Sequence, residues 1–228
     1  MILLLLLFLF LTMASWYMHR PFSVTTFSSV RMGGATVIID AGHGGEDGGA
    51  VSSQGTIESG INLAIACKLD DLLHLYGVST VMIRREDISL HDDSAKTLRE
   101  KKRSDLETRV QMVNETENGI LISIHQNMYS SPNLSGAQVF YADEGSSMEW
   151  ARVTQENLRK ALDPENQRQA ARISDSIYLM KHITRPGILV ECGFLSNPEE
   201  EKRLSKDTYQ TKIAVVLAAS ALSYYGAS

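Results

Sequence analysis

Three short apolar runs set the limits on what this chain can fold into. They are Thr36-Val37-Ile38-Ile39-Asp40, Gly119 to His125, and Ile188-Leu189-Val190-Glu191. Runs of this length, rich in β-branched residues, read as buried strands. Helical patterns separate them. From about Glu58 to Tyr76, residues Ile61, Ile65, Leu69, Leu72, Leu73 and Tyr76 share one face, and Gly77 ends the repeat. Ser104 to Thr116 and Ser147 to Leu162 read as further helices, and Pro198 to Leu204 and Tyr209 to Tyr225 as the closing pair. Val78 to Arg84 reads as another strand, Gly136 to Tyr141 as a strand nearer an edge, and Ile177 to Met180 as a short extended piece. Residues 86–103 read as a polar, charged loop. Strands alternating with helices predict an α/β fold: a single domain with a largely parallel central sheet flanked by helices on both faces.

The first residues have a different character. Ile2 to Met18 is almost wholly apolar, at the lower limit for a bilayer span. Residues 1–18 are therefore expected to be a signal segment or a retained membrane anchor, and both readings stay open. Either one delivers the rest of the chain to an extracytoplasmic location, secreted or anchored. Residues 19–35, rich in Ser and Thr and without helical periodicity, read as a tether, and residues 36–228 as the folded domain. The formal charge is −5, which makes nucleic acid an unsuitable partner. The two cysteines, Cys67 and Cys192, exclude a disulfide-rich scaffold and a four-cysteine zinc site.

Sites on open α/β sheets gather beyond the carboxyl ends of strands. Here three strands end in ionisable residues: Asp40 with His43 just beyond it, His125, and Glu191. Glu58 opens the first helix directly after a glycine-rich loop. Two imidazoles and a carboxylate make a three-ligand zinc set that leaves a fourth position for water. A further acid within reach of that water supplies a general base. Glu191 is the hardest of these to explain otherwise, because an acid following Ile-Leu-Val on a buried strand must be paired, protonated or bound to a cation.

The ordered pieces Ile38-Ile39-Asp40-Ala41-Gly42-His43-Gly44-Gly45, Asp47-Gly48-Gly49-Ala50, Glu58, Ile122-Ser123-Ile124-His125-Gln126-Asn127 and Leu189-Val190-Glu191-Cys192-Gly193-Phe194 resemble the zinc-dependent N-acetylmuramoyl-L-alanine amidases of the type-3 class. The resemblance spans roughly residues 36–223. It implies zinc held by His43, Glu58 and His125, with Glu191 as the catalytic acid. It also implies cleavage of the amide between N-acetylmuramic acid and L-alanine, with peptidoglycan as the partner. The short build looks most like the spore-cortex amidases. That implies a role in cortex maturation beside a deacetylase acting on the same muramic acid, and leaves room for an accessory protein. Gln126, Asn127 and Asn133 are candidates for hydrogen bonds to substrate. Arg109 is a further candidate contact, although its helical position better suits a structural ion pair. The alternatives are a zinc exopeptidase and a non-catalytic, zinc-stabilised interaction protein.

Overall fold

The computed structural model describes residues 34–226. The expected signal or anchor at 1–18 and all but the end of the expected tether at 19–35 lie outside the described residues. Among those described, no helix is long and apolar enough to cross a membrane.

The described residues form one six-stranded sheet. Its strands are β1 (Thr36–Ala41), β2 (Ser79–Met82), β3 (Gly119–Asn127), β4 (Gln138–Tyr141), β5 (Ala171–Arg172) and β6 (Gly187–Phe194), in the order β2-β1-β3-β6-β4-β5. The β2, β1, β3 and β6 strands run parallel, and β4 runs antiparallel to β6. The helices are α1 (Glu58–Leu75), α2 (Leu98–Glu115), α3 (Ser146–Leu162), α4 (Tyr178–His182), α5 (Pro198–Leu204) and α6 (Asp207–Gly226).

Side chains alternate across the sheet, and both faces are filled. Val37, Ile39, Ile122, Ile124, Ile188 and Val190 pack with Ile65, Leu69, Trp150 and Leu217 of α1, α3 and α6. Ile38, Leu121 and Leu189 pack on the other face with Val113 of α2 and with Leu179 and Met180 of α4. A sheet covered on both faces leaves only its two ends open. The chain enters β1 at the amino edge. The polar residues that close β1, β3 and β6 all emerge at the carboxyl edge.

Two expectations are corrected. The segment around Ile177 to Met180 is not extended, because Tyr178–His182 forms a short helix. The amide of Lys181 donates to Ile177, the rings of Tyr178 and His182 stack one turn apart, and Leu179 and Met180 plug the core. The second helix begins at Leu98 rather than Ser104, so residues 98–103 are not loop. Thr97 and Glu100 cap it reciprocally, each side chain accepting the other's backbone amide. Both cysteines are free, so they form no disulfide.

Candidate metal centre and catalytic cleft

The backbone of β1 breaks into a tight glycine turn at Gly42. The residues just beyond it adopt left-handed conformations: His43 has φ 61° and Gly45 has φ 59°. Gly42 is required by close approach, since a Cβ there would lie 2.2 Å from the His125 ring. A Cβ on Gly49 would meet Glu58 Oε2 at 2.5 Å and the His43 ring at 2.7 Å. Both glycines therefore make room for the side chains gathered at this edge.

Two buried arginines hold the turn in place. Arg84 donates from Nε to the carbonyl of Ala41 and from Nη2 to those of Gly42 and Ser59. Arg109 on α2 donates from Nη1 to Asp40 Oδ1 and the Ala41 carbonyl. From Nη2 it donates to the His43 carbonyl and Asp105 Oδ1, and from Nε to Asp105 Oδ2. A guanidinium has five N–H groups, so Arg109 has none left for a substrate. Ser123 of β3 donates to the second oxygen of Asp40 at 2.6 Å. Burial works against the charge on Asp40, but Arg109, His125 and Ser123 hold its carboxyl below the usual range.

His43, Glu58 and His125 converge, with one donor atom from each lying within 4.8 Å of the others. Glu58 sits at the amino end of α1 and is 3% exposed. Its Oε1 lies 3.0 Å from His125 Nδ1 and its Oε2 lies 3.4 Å from His43 Nε2. The same carboxylate accepts from the amides of Ala50 and Gln126 and from Asn62 Nδ2. Burial opposes its charge, yet the bonded His125, the nearby His43 and the Ala50 amide hold Glu58 at about 2. On the outer side of His43, Nδ1 lies 3.0 Å from Asp47 Oδ2, and Lys102 Nζ reaches the same oxygen at 3.1 Å. The bond with His43 depresses the Asp47 carboxyl, and Lys102 adds to the effect against partial burial.

Parallel pairing of β3 with β6 places Glu191 directly beside His125, on the same face of the sheet. Glu191 Oε2 is buried and has no hydrogen-bond partner among the described residues. Burial first, and the Glu58 charge second, push its carboxyl up to about 7, although His125 pulls the other way. A carboxyl with one oxygen free and a pKa near neutrality can both take and give a proton. His125 is raised above its ordinary value. Burial opposes this, but the hydrogen bond it donates to Glu58 and the charges of Glu191, Glu58 and Asp40 prevail.

These residues line a cleft of about 370 Å³ at the carboxyl edge, together with Met128, Ile177, Tyr178 and Lys102. Asn127 lines it at the end of β3. Gln126 lines it too, but is 3% exposed and donates to Asn62 Oδ1. Asn133 is exposed on the loop after β3 and is not among the lining residues. Sequence reasoning placed Asn62 in the motif after Glu58 but gave it no role; it ties Glu58, Gln126 and the Gly42 carbonyl together. Its signal was a polar residue one helical turn after Glu58 on the buried face of α1. Asp47 was also missed, although it lies in the motif that carried the resemblance.

The three donors suit a tetrahedral ion. Two imidazole nitrogens and a carboxylate oxygen, all within 4.8 Å of one another, are the donor types that zinc takes. A largely parallel α/β sheet with a His-Glu-His group that could hold a metal at its carboxyl edge, and an acid beside it, is an arrangement suited to a hydrolase. The profile of the N-acetylmuramoyl-L-alanine amidases matches residues 37–222, and the chain belongs to that family. It is 38% identical over 198 residues to the germination-specific N-acetylmuramoyl-L-alanine amidase of Bacillus subtilis, covering 86% of this chain and 82% of that one. It is 26% identical to the amidase AmiA of Escherichia coli, over 85% of this chain and 77% of that one. Among solved structures, the CwlD amidase of Clostridioides difficile in complex with the GerS lipoprotein superimposes with a TM-score of 0.82 at 38% identity, covering 85% of this chain and all of that one.

Proposed function

We propose that this amidase uses one zinc ion, held by His43, Glu58 and His125, and that Glu191 is its proton-transfer group. The observation that carries this reading is the unpartnered, buried Glu191 Oε2 beside a His-Glu-His donor set. Zinc, when bound, would supply a Lewis acid and a water of lowered pKa. Glu191 takes a proton at Oε2 from the attacking water and returns it to the leaving alanine nitrogen. The second transfer matters as much as the first, because an amide nitrogen leaves only once protonated. Asp47 keeps Nδ1 of His43 engaged and so turns Nε2 inward. The two arginines fix the carbonyls of Gly42 and His43, and with them the position of His43.

The reading extends to biology. The germination-specific name of the Bacillus relative supports action on spore cortex peptidoglycan, with a deacetylase acting on the same muramic acid. The relative solved with a lipoprotein supports an accessory protein as a second partner. The apolar residues 2–18 support delivery across a membrane. A reporter active only outside the cytoplasm should work when fused behind residues 1–35, and a reporter active only inside should not.

Mass analysis of peptidoglycan digested with and without zinc tests the chemistry. The expected product is an intact stem peptide with a free alanine amine, formed only with metal. Shortened stem peptides would indicate the exopeptidase alternative. No release under either condition would indicate a non-catalytic protein.

A further inference from the structure

The line of residues that closes the sheet continues past Glu191. Parallel pairing sets His125 of β3 beside Glu191 of β6, and antiparallel pairing sets Glu191 beside Gln138 of β4. Directly paired residues on neighbouring strands share a face, so His125, Glu191 and Gln138 form one row across the sheet at its carboxyl edge. Further along the same two strands, Asn127 of β3 pairs with Phe194 of β6. His125, Glu191 and Asn127 all line the cleft. Gln138 and Phe194 are therefore the next residues out, on the side away from the metal donors.

Arg168 touches both of them. Its Nη1 donates to Gln138 Oε1 at 3.3 Å, its Nε donates to the Ser135 carbonyl at 3.0 Å, and its guanidinium lies 4.7 Å from the centre of the Phe194 ring. The backbone beneath it is held as well. The Arg168 amide donates to Oδ1 of the buried Asn166, whose Nδ2 donates to the Ala137 carbonyl. Gly136 makes room for this, since a Cβ there would meet Asn166 at 2.7 Å. Both acceptors on the guanidinium are uncharged, and three of its five N–H groups have no partner among the described residues. The other cations at this end are committed: Arg84 and Arg109 to the glycine turn, Lys102 to Asp47 and Lys101 to Glu46. Glu156, which shares a small hollow with Arg168, is taken up by Arg159 and Lys160. Arg168 is thus a half-buried, pre-positioned guanidinium whose charge no described carboxylate matches.

We infer that Arg168, oriented by Gln138, binds the leaving peptide of the substrate through a free carboxylate. The inference rests on the amidase reading, and the orientation follows from proton transfer. The scissile carbonyl has to face the His43, Glu58 and His125 donors, and the leaving nitrogen has to lie within reach of Glu191. The direction from those donors through Glu191 to Gln138 is then the direction from carbonyl to amine. Beyond the amine lies a peptide with carboxylates, whereas the N-acetyl and lactyl groups on the acyl side carry no charge. An extended peptide advances about 3.3–3.6 Å per residue, and strands stand about 4.8 Å apart, so roughly two residues of peptide span the step from Glu191 to Arg168. Arg168 is a specificity residue, apart from the proton-transfer machinery.

The test uses two N-acetylmuramoyl peptides of equal length, one with free carboxylates and one with every carboxyl amidated. The zinc-loaded full chain should prefer the free acid roughly five- to tenfold in kcat/KM, mainly through KM, as expected for one partly exposed charge-assisted contact. Calorimetry on the Glu191→Gln chain, which is expected to turn over slowly, should show the same preference in Kd. Arg168→Gln should bring both ratios to near one, and Arg168→Lys should keep part of the preference. Loss of the Ser135 and Phe194 contacts affects both substrates alike and cancels in the ratio. A ratio unchanged in Arg168→Gln, as a purely structural arginine would give, or equal use of both peptides by the unmodified chain, would overturn the inference and leave the amidase reading standing. Failure to cleave either peptide would bring down the amidase reading, and this inference with it.

Discussion

The Glu191 carboxyl should weaken the fold it serves. Its side chain is raised from an ordinary 4.5 to about 7, chiefly by burial. Each pKa unit corresponds to about 1.4 kcal/mol, so holding Glu191 ionised in the folded protein costs about 3 kcal/mol as an upper figure. Proton counting gives the sign. Between about pH 4.5 and 7 the folded chain keeps a proton that the unfolded chain has lost, so stability falls as pH rises through that window. Below it both states are protonated, and the penalty is absent. Glu191→Gln removes the charge and keeps the shape. Urea unfolding with a chelator present, which removes any cation that would favour the ionised form, should therefore show the variant about 2–3 kcal/mol more stable than the parent at pH 8. At pH 4 the two should be indistinguishable. The same substitution should lower amidase turnover by roughly 10²–10⁴ with zinc content near one equivalent. A stability difference that did not change with pH would refute the burial argument, and near-normal turnover would refute the assignment of the proton-transfer group.

The remaining expectations concern the donors and their support. Glu58→Gln should lower zinc affinity in competition with a chelator, with turnover partly restored by excess metal, whereas His125→Ala should lose most of the metal outright. Arg109→Met leaves Asp40, only 1% exposed, as an unpaired buried charge, and denaturant unfolding should register a loss of about 3–5 kcal/mol. Arg109→Met combined with Asp40→Asn should recover part of that loss if the pair is coupled as the geometry requires. Gly42→Ala should displace the His125 ring and reduce zinc binding by more than its effect on the unfolding midpoint.

The parts of this fold legible in the sequence were those set by local pattern. Val37 to Ile39, Ile120 to Ile124 and Ile188 to Val190 could only be strands buried on both faces, and the polar residues that close them had to meet at one edge. That is why His43, His125 and Glu191 could be picked out without a structure. Other features depended on distant partners. Arg109 was visible as a helical arginine, but Asp40 lies 69 residues away, and nothing local indicated that five bonds would consume it. The start of α2 was legible in principle from Thr97 and Glu100, yet Lys101-Lys102-Arg103 resembles a solvated loop until the cap is weighed against it. The helix at Tyr178–His182 is a single turn whose apolar residues are buried by α2 and β6, so tertiary packing decided it.

The two open ends of the sheet give the molecule a fixed heading. The backbone comes into β1 at one end and the cleft opens at the other, separated by a six-residue strand, or about 20 Å. If the proposed anchor at residues 1–18 is retained, it would hold the domain by its heel, at the end away from the cleft. A molecule held in that way would search its surroundings by swivelling rather than by drifting. Lengthening the stretch before β1 should widen the zone it can graze without altering any single cut, whereas moving the point of attachment to the carboxyl edge would point the mouth back at its own mooring.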